Sequence, residues 1–189
     1  LEGHCEVAHG EEMAKLTRKM VSTIRKQLVK LQELDLKKMS GGISHAEKKQ
    51  WSQYYAGVLK LFDPSQTRMV EERDTMRIPM STEVLYQIDQ QKFSSTCWDL
   101  SVSGIGLAFN SDVSVNDVVG LKFQVKTTKL KFFEEEHNVN CEGIVKWSSG
   151  KENRTGIEFH QLDEEVKMLI HRSLFNEINR QIKRALKWA

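Results

Sequence analysis

Arg73 and Arg77 stand four apart in Glu-Arg-Asp-Thr-Met-Arg, and Asp99, Ser101 and Gly104 close an apolar run as Asp-Leu-Ser-Val-Ser-Gly. Arginine carries five donors in one plane and never loses its charge, so it can grip phosphate, stack on a base or pair with the Hoogsteen edge of guanine. In an extended segment the two arginines point the same way, about 13 Å apart. A carboxylate accepts from the N1–H and N2–H₂ of guanine, and a hydroxyl two residues on can give or take a bond on the same face. Gly104 is expected to turn the chain with positive φ and to let a ligand approach closely. One strand is expected between the clusters. Planar cations at one end and acceptors at the other describe a site for a planar, anionic ligand. Taken singly, each motif is ordinary: arginines four apart are common, and Asp-x-Ser-x-x-Gly is often a turn held by its own side chains.

Two kinds of element must position these residues. From Glu11 to Lys38 the apolar residues Leu16, Met20, Ile24, Leu28, Leu31 and Leu34 fall at steps of three and four, the stripe of an amphipathic helix. Met39-Ser-Gly-Gly42 ends it. Ser44-x-x-Glu47 is a capping box for a second helix with Trp51, Tyr54, Tyr55, Val58 and Phe62 on one side, stopped by Asp63-Pro64. Residues 1–65 therefore form an α-helical hairpin with a flexible tail, and residues 63–72 a polar linker. His4, Cys5, His9, Glu11 and Glu12 match no zinc spacing, so no metal site is expected and the tail is read as frayed.

Beyond the linker the period changes to two. Val84, Tyr86 and Ile88, then Leu121, Phe123 and Val125, alternate with polar residues, and Ile105 to Phe109, Val139 to Trp147 and Ile157 to Phe159 add further strands. Turns are expected at 110–112, at Glu134–Asn138 and at Ser148–Gly150. Short strands with no helices between them argue an antiparallel barrel or sandwich. From Asp163 a helix returns, with Val166, Ile170, Leu174, Ile178 and Ile182 on one line, acids in its first turn and Lys183, Arg184 and Lys187 near its end. At about 37 Å it exceeds the width of a small barrel, so part of its stripe should meet the hairpin or another subunit. Residues 66–189 are thus barrel plus C-terminal helix, in an α+β chain.

With a net charge of +2, no bulk basicity argues for nucleic acid or membrane, and the apolar runs are too short to span a bilayer. Three cysteines without a Cys-x-x-Cys pair, and no secretory signal at the start, point to reduced thiols in a cytoplasmic protein. A chain whose first residue is Leu1 is expected to be an excised or processed fragment. Scattered histidines, no nucleophile beside a base and no Gly-rich phosphate loop argue against an enzyme.

The two motifs in this order resemble the PilZ domain, a bacterial receptor module for cyclic di-GMP whose signatures are Arg-x-x-x-Arg and Asp/Asn-x-Ser-x-x-Gly. The resemblance covers about residues 70–175 and includes Val145-Lys-Trp147 and Gly156-Ile-Glu-Phe159. It implies a small Greek-key-like β-barrel with a trailing helix, no catalysis, and cyclic di-GMP as ligand rather than a cofactor. Carried over, Arg73 and Arg77 would hold guanine and phosphate, Asp99 and Ser101 would read a guanine edge, and Gly104 would shape the turn. Glu72, Ser103 and Trp147 would line the pocket. Two departures stand out. Glu72 replaces an arginine that many members carry, which should weaken binding or change how many ligand copies stack, and Ile105 replaces a second glycine. Ligand binding is expected to order residues 65–77 and re-aim the hairpin toward a protein partner. The rival expectation is a PilZ-like scaffold or homo-oligomer built on the helical stripes and indifferent to nucleotide.

Overall fold

The apolar steps of three and four do form one helix, α1 (Gly3–Met39), in a computed structural model that describes residues 3–60, 74–108, 113–129, 133–151 and 153–187. The helix begins eight residues before the expected Glu11, and the expected frayed tail is helical from Gly3. Nothing between Gly3 and Glu11 except Gly10 resists helix, so no breaker marks a start there. The expected end holds. Gly41 takes φ +73°, and the amides of Gly41 and Gly42 donate to the carbonyls of Lys38 and Lys37.

α2 (His45–Leu59) opens with the complete capping box: the Glu47 amide donates to Ser44 Oγ, and the Ser44 amide donates to Glu47 Oε2. Trp51, Tyr55, Val58 and Leu59 are buried, while Tyr54 is half-buried; Phe62 and the Asp63-Pro64 stop lie outside the described residues. The Trp51 indole N–H donates to the buried Asp35 of α1 at 2.7 Å, and the Lys38 ammonium lies 3.5 Å from the Trp51 ring centroid. A buried carboxylate needs such partners, so this pair fixes the register of one helix on the other. No described helix is long and apolar enough to cross a membrane.

The chain divides into two compact units, Leu1–Arg73 with Gln181–Ala189, and Asp74–Arg180. In the second, six strands close an antiparallel barrel in the order β1-β2-β3-β6-β5-β4. They are β1 (Ile78–Ile88), β2 (Gln91–Leu100), β3 (Gly104–Ala108), β4 (Val118–Lys129), β5 (Phe133–Ser149) and β6 (Arg154–His160). β4 returns beside β1 after the β1-β2-β3 meander, which is a Greek key. Val84, Tyr86, Ile105, Leu107, Val119, Leu121, Phe123, Val125, Val139, Val145 and Ile157 are buried, as the period of two requires.

Two expectations about the strands change. Two strands, not one, separate the motifs: β1 and β2 form a hairpin around Asp89-Gln90, with Asp89 at φ +52°. Asn or Asp tolerates that left-handed turn without glycine, so the usual sequence mark is missing. Glu134–Asn138 is not a turn either but the start of the 17-residue β5. Two of its acids face cations: across the sheet Lys126 Nζ lies 2.7 Å from Glu136, and outside the sheet Arg180 lies 3.9 Å from Glu134.

α3 (Glu164–Lys187) carries Glu164 and Glu165 in its first turn and buries Ile170, Leu174, Ile178 and Ile182 as expected, while Val166 is half-buried. The Lys126 amide donates to Ser173 Oγ, tying α3 to β4.

Candidate functional site

The β1–β2 hairpin explains why residues 22 apart in sequence can form one site. Its register pairs Ile78 with Leu100 and Pro79 with Asp99. The residue before β1 therefore lies beside the end of β2, and Arg77 Nη1 stands 3.7 Å from Asp99 Oδ1. Asp99 is nearly enclosed, its side chain 4% exposed, whereas Arg77 is 30% exposed and keeps donors toward solvent.

Ahead of Arg77 the chain is anchored twice more. Met76 is buried, and Thr75 Oγ1 lies 2.7 Å from Ser103 Oγ. Arg77, Asp99, Ser101, Ser103 and Gly104 are thus brought together, with Asp74–Arg77 laid against the turn. Arg73 and Glu72 lie outside the described residues.

Within the turn, Ser101 is fully buried. Its amide and its hydroxyl both donate to the Gly104 carbonyl, at 2.9 and 3.0 Å, and Ser103 N–H donates to Ser101 Oγ at 3.3 Å. The serine spends its hydrogen on the Gly104 carbonyl and accepts from Ser103, so its bonding is turned inward and holds the turn together. Ser103, half-buried and linked to both Ser101 and Thr75, is the outer hydroxyl.

Gly104 corrects an expectation. Its φ is not positive; Gly41 is the glycine with positive φ among the described residues. What excludes a side chain is crowding, because a Cβ on Gly104 would run into the Ile157 carbonyl of β6. The turn is pinned there by the Phe159 amide, which donates to the Ser103 carbonyl at 2.9 Å.

The acceptor end continues across the sheet. Asp99 pairs with Gly106, Gly106 with Gly156, and Gly156 with Trp147, one row over β2, β3, β6 and β5. Residues in one cross-strand row share a face. Trp147 of this row is 38% exposed, with its indole lying against Gly156, so it shares the outer barrel face with Asp99. A bulge between Cys97 and Asp99 adds Trp98 to the same face.

Beneath the site, Cys97 Sγ donates to the Asp99 carbonyl at 3.1 Å. Burial, helped by the Asp99 carboxylate, pushes its thiol far above the ordinary range, and it stays protonated and inert. Burial also lifts Cys141, to about 11. Among the described residues, no group of His, Cys, Asp and Glu could hold a metal ion.

A sequence profile of the PilZ domain matches residues 71–176, more than half of the chain. The chain belongs to the PilZ domain family. Solved structures similar to this PilZ protein include the Bacillus subtilis inhibitor of motility MotI/DgrA, at 16% identity and TM-score 0.45 over 59% of this chain and 52% of that one. The PilZ domain of Escherichia coli YcgR, solved with c-di-GMP, matches at 14% identity and TM-score 0.46 over 62% of this chain and 98% of that one. The Borreliella burgdorferi PlzA protein, solved in complex with c-di-GMP, matches at 22% identity and TM-score 0.36 over 61% of this chain and 45% of that one. The chain spans about half the length of the Bacillus and Borreliella proteins. No curated protein matches it. α1 and α2 lie outside the family match.

Sequence reasoning missed Trp98, Gly106 and Gly156 as parts of this surface. The two glycines are signals only once the register places them in one row with Asp99.

Proposed function

We propose that this PilZ protein is a non-enzymatic, cytoplasmic receptor for cyclic di-GMP. The observation that carries the reading is the meeting of the two family motifs on one surface, with Arg77 3.7 Å from the enclosed Asp99. Arg77, with Arg73, supplies planar cations for phosphate and a guanine Hoogsteen edge. Asp99 supplies the acceptor for guanine N1–H and N2–H₂. Ser101, Ser103 and Gly104 hold the turn that fixes Asp99, and Trp147 borders the pocket. Because Arg77 already pairs with Asp99, the ligand replaces or shares that pair rather than meeting two free charges.

The connecting segment that carries Glu72 and Arg73 leads to the helical hairpin. Engaging Arg73 sets the course of that segment and re-aims the hairpin toward a protein partner, a coupling of about 1–3 kcal/mol in typical cases. Calorimetric titration with cyclic di-GMP tests receptor function. Micromolar binding supports it, and no heat from either the wild type or Glu72→Arg overturns it.

One observation favours a second reading, a scaffold or oligomerisation module: Arg77 and Asp99 already form an ion pair within the fold. Light scattering separates the two, since a scaffold keeps one mass and shape whether or not cyclic di-GMP is added.

A further inference from the structure

Outside the two motifs, the barrel places two indoles and a guanidinium side by side on the face that carries Asp99. Trp98 and Trp147 meet edge to face, with centroids 6.5 Å apart and planes at 70°. The Arg154 guanidinium carbon lies 4.6 Å from the Trp98 ring centroid. Arg154 is exposed and stands two residues before Gly156 on β6, hence on the same face. Among the described residues no carboxylate pairs with it.

The backbone is shaped for this group. A bulge admits Trp98 on β2, and a second, between Val145 and Trp147, shifts β5 opposite Gly156. Gly106 and Gly156 leave room for the rings. A Cβ on Gly106 would sit 2.7 Å from Trp98 Nε1 and 2.8 Å from Asp99 Oδ1, and one on Gly156 would run into the Trp147 indole. Trp98 Nε1 and Asp99 Oδ1 therefore converge on one spot above Gly106. Trp98 Nε1 is buried and has no hydrogen-bond partner among the described residues.

A guanidinium supported on one side by an aromatic ring presents its other side as a charged plane, which suits a nucleobase better than a lysine could. β6 lies two strand spacings from β2, about 10 Å. A ligand held at Asp99 by one purine can reach that plane with another ring.

We infer that Arg154 is a further ligand-contact residue of the cyclic di-GMP site, stacking on a purine, with Trp98 as its positioning residue. The inference rests on the receptor reading above. Titration of cyclic di-GMP into the full chain and its variants tests it. Arg154→Ala and Arg154→Lys should each weaken binding about tenfold, because lysine restores the charge but not the plane. Trp98→Ala should weaken it as much, and the double variant Trp98→Ala/Arg154→Ala no further, since the tryptophan acts through the arginine. Trp98→Phe, which keeps an aromatic support, should stay within about threefold of wild type. Affinity within twofold of wild type in Arg154→Ala, or full recovery in Arg154→Lys, overturns the inference while the receptor reading stands. A wild type that does not bind overturns both.

Discussion

Arg77 and Asp99, expected to hold a ligand from opposite sides, hold each other at 3.7 Å. The aspartate is nearly enclosed, and an enclosed charge without a partner is costly. Arg77→Ala should therefore lower stability by about 1–3 kcal/mol, toward the lower end because the arginine is partly exposed. Adding Asp99→Asn should recover part of the loss, because an amide needs no counter-charge. Urea unfolding of the single and double variants measures this. Additive losses would contradict it.

Gly104 and Gly156 should refuse a methyl group for different reasons. In Gly104→Ala the new Cβ meets a backbone carbonyl of β6, so the turn and the strand must separate. In Gly156→Ala it meets the Trp147 ring, which can swing away. Both should cost about 1–3 kcal/mol, with Gly104→Ala the worse and only Gly156→Ala shifting tryptophan fluorescence in the folded state. Gly150, with open space around its Cα, is the control, and Gly150→Ala should be nearly silent. Thermal melts followed by fluorescence report both effects.

Glu47 makes the helical hairpin sensitive to acid. Its bond to Lys37 and two bonds from Ser44 hold its carboxyl at about 2, below the ordinary 4.5. A group whose pKa is lower in the folded chain stabilises it above the unfolded value and loses that contribution as pH falls through the folded one. The contribution of Glu47 is therefore complete above about pH 5 and lost between 4.5 and 2. Glu47→Gln, which can still cap α2, should lower the melting temperature at about pH 7 but not at about pH 2. An equal difference at both pH values would contradict the assignment.

Much of this was visible in the residues alone. The helices followed from apolar steps of three and four and from the Ser44–Glu47 box, because those signals are local. The barrel followed from the change of period, and the two motifs named Arg77, Asp99, Ser101 and Gly104, which the fold brings together as one candidate site. What stayed hidden depends on partners distant in sequence. The β1–β2 turn carries no glycine, so two strands looked like one. Glu134–Asn138 looked like a turn because their cations sit on β4 and α3. Gly104 looked like a turn glycine with positive φ, whereas close packing against β6 is what demands it. Trp98, Gly106, Gly156 and Arg154 acquire meaning only when two bulges set the register.

Glu72 sits in the sequence beside the arginines that would meet phosphate, where many family members carry a cation. Removing the anion and adding a cation should tighten cyclic di-GMP binding by about tenfold in Glu72→Arg, the worth of roughly one charge-assisted bond to phosphate. The gain should shrink at high salt, as a charge effect must. Titrations at low and high ionic strength measure it, and an unchanged affinity would separate Glu72 from the site.

The most direct test of the receptor account is calorimetric titration of cyclic di-GMP into the wild type, Asp99→Ala and Lys126→Ala. Lys126 pairs with Glu136 on β5, away from the motif residues, and serves as the control. The account predicts micromolar binding by the wild type and Lys126→Ala, with most of it lost in Asp99→Ala. Binding by Asp99→Ala equal to that of the wild type, or no binding by the wild type at all, would contradict it.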